Sequence, residues 1–287
     1  MIIIDMNQIM ISNLMAQLKY DKLNENLVRH MVLTSLKLYE QKYGEKYGEM
    51  VLAYDSKQYW RKTYFPYYKQ NRKKDREKSQ HDWSAIFEVL NKIRDEIREH
   101  FPYKVVEVLG AEADDVISTL CKNKGPKELI LILSGDKDFI QLHKYPGVYQ
   151  YNPITKKNLG YDNPHAFIKE HIIKGDKSDG IPNFLSPDDC FVKGERQKPI
   201  SQKNLAKWVD MEPSSFCKTD VQLANYHRNR KLIDFDYVPE EIEQQILDEF
   251  NSLNISGKKV PLEYFQKHQL NDLMQDYFFR SSTPFKK

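Results

Sequence analysis

Ser134-Gly135-Asp136-Lys137-Asp138-Phe139, directly after Leu129-Ile130-Leu131-Ile132-Leu133, decides how this chain folds. Five consecutive aliphatic residues describe a strand covered on both faces, since a half-exposed strand would alternate. The two aspartates then fall just past its carboxyl end. The same arrangement recurs upstream. Ile2 to Ile4 is a short apolar strand ending at Asp5, Met50 to Tyr54 a second ending at Asp55, and Val105 to Leu109 a third followed by Glu112, Asp114 and Asp115. Helical periodicity lies between them, in Asn26 to Tyr43 and most clearly in Ser84 to His100, where Ile86, Leu90, Ile93 and Ile97 line one side. Further helices are expected over Glu112 to Lys122, after Asp138, and over Asn163 to Lys174, with a fifth strand at Val148 to Tyr151. Buried strands alternating with helices predict an α/β fold with a central, mostly parallel sheet flanked by helices.

In such a sheet, residues beyond the carboxyl ends of the strands converge on one crevice. Four strand ends would deliver Asp5, Asp55, Glu112, Asp114, Asp115, Asp136 and Asp138 to it. Asp176 and Asp179, in Gly175-Asp176-Lys177-Ser178-Asp179-Gly180, would share a face if that turn is helical. Taken singly, each aspartate reads equally well as a helix N-cap, Asp114 and Asp115 above all. Capping does not explain four strands in succession. Crowded carboxylates stay partly protonated unless a cation neutralises them. An all-oxygen donor set suits Mg²⁺ or Mn²⁺ rather than zinc, and a pair of such ions suits phosphodiester cleavage.

Between the second strand and the Ser84 helix, Arg61 to Lys78 holds eight Lys/Arg against two acids, with Tyr64, Phe65, Tyr67 and Tyr68 inside it and Trp60 just before. Cations match phosphates, and aromatic faces stack on unpaired bases. The segment is far longer than an ordinary βα connection and reads as a functional lid, the alternative being a solvated charged helix. The chain's formal net charge is only +3, but pooling the nine named carboxylates in one site leaves +12 elsewhere. That segregation suits a polyanionic substrate.

Other classes are excluded by what is missing. Cys121, Cys190 and Cys217 lie far apart, supporting neither a disulfide framework nor a zinc knuckle. Ser134 has no histidine near it in sequence, and His143 reads as a packing or capping residue. The apolar runs are too short for a membrane span, Met1-Ile2-Ile3-Ile4 meets Asp5 at once and is no signal peptide, and a cytoplasmic setting is expected. Beyond about Pro187 strand-like runs stop. The expected organisation is an α/β core over 1–186 and a helical region over 187–287, with helices at Asn204 to Val209, Val221 to Ile233, Glu240 to Phe250 and Leu262 to Phe279, then a tail from Ser281.

Five acidic motifs occur here in one order: Ile3-Ile4-Asp5, Ala53-Tyr54-Asp55, Glu112-Ala113-Asp114-Asp115, Ser134-Gly135-Asp136-Lys137-Asp138, and Gly175-Asp176-Lys177-Ser178-Asp179-Gly180-Ile181-Pro182. In that order the chain resembles the flap endonuclease / 5′-3′ exonuclease family, nearest its bacteriophage ribonuclease H branch. Trp60-Arg61, Tyr67-Tyr68-Lys69, Asn71-Arg72 and Gly194-Glu195-Arg196 extend the likeness. The resemblance implies a PIN-like core, a helical arch at about 59–83 and a helical C-terminal DNA-binding region. It implies a divalent-metal-dependent 5′ nuclease that removes RNA primers from lagging-strand fragments during phage DNA replication, in the host cytoplasm. One Mg²⁺ would be held by Asp5, Asp55, Glu112 and Asp114, a second by Asp136, Asp138 and Asp179, with Asp115 and Asp176 acting through waters and Mn²⁺ as a substitute. Lys69 and Arg72 would reach the scissile phosphate, sharing catalysis with Asp114 and Asp136. Tyr68 would stack on the terminal base, with Arg61 and Lys73 as further arch contacts. Many family members carry a Gly-rich loop after the last acidic motif. It is missing after Pro182, so Lys193 and Arg196, with Lys198 and Lys203, are expected to grip duplex. Expected partners are RNA·DNA hybrid and DNA with a 5′ end, flap or fork, together with a single-stranded-DNA-binding protein and a replication clamp, the chain itself acting as a monomer. Two other readings stand beside this one. A non-catalytic nucleic-acid-binding accessory would have a degenerate site. A Mg²⁺ phosphohydrolase of the haloacid-dehalogenase kind wants two carboxylates after the first strand, where Asp5-Met6-Asn7 supplies one.

Overall fold

Six strands, β1 (Ile2–Asp5), β2 (Met50–Ala53), β3 (Lys104–Val106), β4 (Ile130–Leu133), β5 (Val148–Asn152) and β6 (Lys157–Leu159), form one sheet in the order β3-β2-β1-β4-β5-β6. All pairs are parallel except the β5–β6 hairpin. The computed structural model describes residues 1–278, apart from the side chains of Lys73, Asp75, Asp276 and Phe278. The expected tail from Ser281, and Phe279, lie outside the described residues. The helices are α1 (Met6–Leu18), α2 (Glu25–Tyr47), α3 (Trp60–Tyr64), α4 (Gln70–Glu77), α5 (Trp83–His100), α6 (Ala113–Lys124), α7 (Pro164–Lys174), α8 (Gln202–Val209), α9 (Pro213–Phe216), α10 (Asp220–Ile233), α11 (Glu240–Ser252), α12 (Leu262–Lys267) and α13 (Asn271–Phe278). Short 3₁₀ helices occupy Lys137–Lys144 and Phe235–Tyr237.

The all-aliphatic strands are buried on both faces, and their side chains divide with period two. Ile2, Ile4, Leu52, Leu131 and Leu133 pack on one side with the α5 stripe Ile86, Leu90, Ile93 and Ile97, and with Phe265 of α12. Ile3, Val51, Ala53, Ile130 and Ile132 pack on the other with Val116, Ile117 and Leu120 of α6 and Ile246 and Phe250 of α11. Burial of each such aliphatic chain contributes roughly 1.5–3 kcal/mol. A third cluster joins the foot of the arch, through Phe65 and Tyr68, to Ile172 and Ile173 of α7 and to Phe216, Tyr226 and Leu232 of α9 and α10.

The connections place the crevice. From β1 the chain runs to β2 and β3 on one side, then returns across β1 to β4. The winding therefore reverses between β1 and β4, where the Ser134 Oγ–H donates to Asp5 at 2.9 Å. Among the elements not expected from the sequence are α1 and β6, with the short α9 and the 3₁₀ turn at Phe235–Tyr237. α1 follows β1 with no loop, because Asp5 closes the strand and caps the helix at once, accepting from the Gln8 N–H at 3.1 Å. β6 exposes Lys157 and Asn158, so it has no apolar alternation to read. The expected helix from Leu262 is divided into α12 and α13 at Gln269, whose φ is 56°. Among the described residues, no helix is long and apolar enough to cross a membrane.

Candidate metal centre and cationic arch

The acids past β1, β2, β3 and β4 meet at the point of reversal, and most of them also cap a local turn. Asp5 accepts from the Gln8 N–H, whereas Asp55 reaches across to accept from the Ala113 N–H of α6 at 2.7 Å. Asp136 caps the 3₁₀ helix through the Asp138 N–H at 2.9 Å. Asp176 accepts from both N–H and Oγ–H of Ser178, each at 2.7 Å. Capping and clustering are therefore not alternatives. A cap engages one carboxylate oxygen and fixes the direction of the other.

Electrostatics show that these groups share one hollow. Burial pushes the Asp55 carboxyl up to about 6, with Glu112 and Asp5 adding to it against Lys69. Burial raises Asp136 to about 7, helped by Asp138, Asp5 and Asp179. Asp114 lies well above the ordinary carboxylate range, through burial and then Asp136, Glu112 and Asp55, with Lys69 opposing. Asp5 and Asp179 are also raised, chiefly by burial. Acids that burial and mutual repulsion push upward, and that outnumber the cations among them, form an oxygen-donor set that fits divalent cations.

One residue of the hollow was missed by sequence reading. His171, in the last turn of α7, stands 3.2 Å from Asp138 and 3.6 Å from Asp176. Burial alone would lower its pKa, but hydrogen bonds to these two carboxylates outweigh it and raise the imidazole to about 10. Asp138, His171 and Asp176 offer ligand atoms within 4.8 Å of one another. The available signal was spacing, since His171 stands about one helical turn before Gly175-Asp176.

The arch cations fold into the same hollow. Lys69 adopts a left-handed φ of 56° at the start of α4, and its Nζ lies 2.6 Å from Glu112 and 3.6 Å from Asp179. Arg72 pairs with Asp179 while staying about half exposed. Burial would raise Glu112, but the Lys69 ammonium and the Arg61 guanidinium hold it below its usual value.

Three expectations are corrected here. Arg61 does not face nucleic acid. It is 2% exposed, donates from Nε to the Leu232 carbonyl at 2.9 Å, and pairs with Glu112 at 3.0 Å and Asp115 at 2.7 Å, because two buried carboxylates need a buried countercharge. Asp115 does not face the hollow. It accepts from the Trp60 Nε1–H at 3.2 Å and from the Glu112 N–H at 2.9 Å, bracing the arch foot. Tyr68 does not present its ring to a base. It is 2% exposed, and its hydroxyl donates to Asp179 at 2.8 Å and Glu112 at 3.1 Å. The side chain of Lys73 lies outside the described residues. Lys193 and Arg196 are exposed on the loop after Pro187, with Lys193 paired to Asp189 at 2.7 Å. The Lys74 Nζ donates to the Val192 carbonyl at 3.1 Å and ties α4 to that loop.

An acidic hollow at the switch point of a parallel sheet, with Lys69 and Arg72 of the following basic segment turned into it, is an arrangement that suits metal-dependent phosphodiester cleavage. Residues 1–171 match the family model for the 5′-3′ exonuclease N-terminal resolvase-like domain, and residues 163–277 match that for the C-terminal part of T4 RNase H. The chain is 36% identical to the ribonuclease H of Enterobacteria phage T4 over 285 residues, covering 94% of this chain and 92% of that protein. It is 27% identical to a 5′-3′ exonuclease of Buchnera aphidicola over 263 residues, 87% of this chain and 85% of that one. The same fold occurs in the phage T5 flap endonuclease solved with DNA and metal ions, at a TM-score of 0.63 and 15% identity, covering 88% of this chain and 99% of that one. The chain belongs to the 5′-3′ exonuclease family, and it is a 5′ nuclease.

Proposed function

We propose that this nuclease hydrolyses phosphodiesters near the 5′ ends of RNA·DNA hybrid and of flapped or forked DNA, clearing RNA primers during phage DNA replication with two Mg²⁺ ions that Mn²⁺ can replace. The observation that carries this reading is the convergence of Asp5, Asp55, Glu112, Asp114, Asp136, Asp138, Asp176 and Asp179 beneath Lys69 and Arg72. Asp5, Asp55, Glu112 and Asp114 would hold one ion. Asp136, Asp138 and Asp179 would hold the other, with Asp176 assisting through water. When bound, the ions supply Lewis-acid activation of water and neutralise charge at the scissile phosphate.

The chain's own residues do the positioning. Lys69 and Arg72 bind carboxylates now and have the charge and placement to bind phosphoryl oxygens once those carboxylates are otherwise neutralised. Asp114 and Asp136 orient the reacting groups. Lys193 and Arg196 meet duplex backbone. The relatives support the choice of substrate, since one is called a ribonuclease H and another was solved with DNA. Action as a monomer beside a single-stranded-DNA-binding protein and a clamp is part of the same proposal.

The test is Mg²⁺-dependent release of short 5′-phosphorylated products from labelled hybrid and flap substrates. Asp136→Asn should abolish release while leaving substrate affinity within a few-fold of wild type. Wild-type inactivity on both substrates with Mg²⁺ and Mn²⁺ would refute the proposal.

A further inference from the structure

At one edge of the hollow the donor set is not all oxygen. His171 stands in the last turn of α7, with its Nδ1 3.2 Å from Asp138 Oδ1 and its Nε2 3.6 Å from Asp176 Oδ2. Taking one donor atom from each residue, the three lie within 4.8 Å of one another. Ligands of an octahedral ion with bonds of about 2.1 Å stand about 3 Å apart when adjacent and about 4 Å apart when opposite. Small side-chain movements would therefore close these three donors on one ion.

The surroundings orient the ring and leave the facing oxygens free. Phe167, one turn earlier on α7, packs edge-on against the imidazole, with ring centroids 6.1 Å apart. Ser178 occupies the other Asp176 oxygen with its N–H and its Oγ–H. All three side chains keep part of their surface open, so an ion can enter and retain water. Each ring nitrogen faces a carboxylate, so one can ligate while the other donates a hydrogen bond. Metal-binding histidines are commonly fixed in that way. A nitrogen donor also changes which ion is favoured. Mg²⁺ prefers oxygen, whereas imidazole suits transition ions. The four residues proposed for the first ion offer oxygen alone.

We propose that His171 is a nitrogen ligand of the second ion, beside Asp138 and Asp176, and that it makes this position select Mn²⁺ or a similar transition ion over Mg²⁺. The inference rests on the proposed second ion and decides which metal that ion is. On binding, the ring nitrogen that meets the ion gives up its proton to solvent, and the other nitrogen keeps its own. The rival reading is a plain ion pair, in which the ring serves only as a countercharge to two carboxylates.

The experiment loads the metal-free full chain with Mn²⁺ and records its electron spin echo envelope modulation, with natural and with isotopically labelled histidine. Wild type should show a nitrogen modulation that changes with the label, and His171→Gln and His171→Lys should both lose it. Competitive calorimetric titration then gives the ratio of Mn²⁺ to Mg²⁺ affinity. That ratio should fall about tenfold or more in both variants, the floor being the cost of losing even an outer partner of a metal ligand. His171→Lys separates the two readings, because it keeps the positive charge and removes the imidazole. A lysine variant with the wild-type ratio would overturn the proposal in favour of the ion pair. Mn²⁺-loaded wild type without nitrogen modulation would overturn it as well, as would wild type that holds no Mn²⁺. Failure of the nuclease reading has a different signature, in which wild type cuts neither hybrid nor flap while the modulation and the affinity ratio stand.

Discussion

Lys69→Met keeps most of the stem and removes the ammonium, which lies 2.6 Å from Glu112 and 3.6 Å from Asp179. At an effective dielectric of about 20 these attractions are ~6 and ~5 kcal/mol. Desolvation of a nearly buried ammonium costs several kcal/mol and cancels most of that gain, leaving a net of ~3 kcal/mol. The ion-free variant should lose about that much stability, a fall in Tm of roughly 6 °C or more. Divalent ions supply the missing charge, so saturating Mn²⁺ should restore most of the loss. With its competitor gone, Mn²⁺ should bind the variant about tenfold tighter or more, equivalent to ~1.4 kcal/mol. Single-turnover cleavage should nevertheless fall by about a hundredfold if, as proposed, this charge meets the phosphate. Thermal unfolding in EDTA and in Mn²⁺, with calorimetric titration at pH 8, measures each quantity. Unchanged Mn²⁺ affinity together with the same Tm deficit in both buffers would show that Lys69 and the ions do not share the hollow.

Arg61→Met should destabilise by about 3–5 kcal/mol, since it leaves Asp115 buried without its countercharge and Glu112 with Lys69 alone, and a variant of native stability with weakened DNA binding would restore Arg61 as a nucleic-acid contact. Asp55 and Asp136, raised to about 6 and about 7, contribute stability present below their unfolded values that is lost as pH rises through those figures. Stability in EDTA should accordingly decline between about pH 4 and 7. Divalent-ion binding should tighten over the same window and release protons, measurable by titration calorimetry in buffers of different ionisation heat, and pH-independent binding would contradict the shared hollow. Arg29 is fully buried and holds Glu96 through contacts of 2.6 and 2.8 Å, so Glu96→Gln should cost about 3–5 kcal/mol in urea unfolding. Burial would raise Glu96, but Arg29 keeps its pKa below the ordinary 4.5, so this stabilisation is present above that value and is lost as pH falls beneath it. A loss under 1 kcal/mol would mean the pair contributes little. Arg196→Ala should flatten the salt dependence of duplex binding by about one unit of slope, and an unchanged slope would place the duplex elsewhere.

The sheet and the acidic hollow were legible because both follow from local rules. A strand buried on both faces must be aliphatic throughout, and a parallel sheet must gather its strand ends on one edge. The acids could be listed before any coordinates because each falls within a few residues of a readable strand or turn. The basic, aromatic arch was legible as a composition, and its division into α3 and α4 was not.

Side-chain direction was beyond the sequence. Asp114 and Asp115 are neighbours on one helix, so their side chains leave the axis about 100° apart. One therefore meets Asp136 and the other meets Arg61, and nothing in the pair Asp-Asp says which. Arg61 and Tyr68 sit in a segment whose charge and rings suggest a wet surface. They turn inward because Phe65 and Tyr68 are drawn into the third cluster, and because Glu112, brought from some fifty residues away, needs donors once it is buried. His171 joins the hollow only because α7 lies against the 3₁₀ helix that carries Asp138. Sequence determined which residue types stand at which strand ends, since burial and alternation act over a few residues. Tertiary packing decided which of them share charge, since Coulomb interactions in a dry interior depend on distances of a few ångströms between segments far apart along the chain.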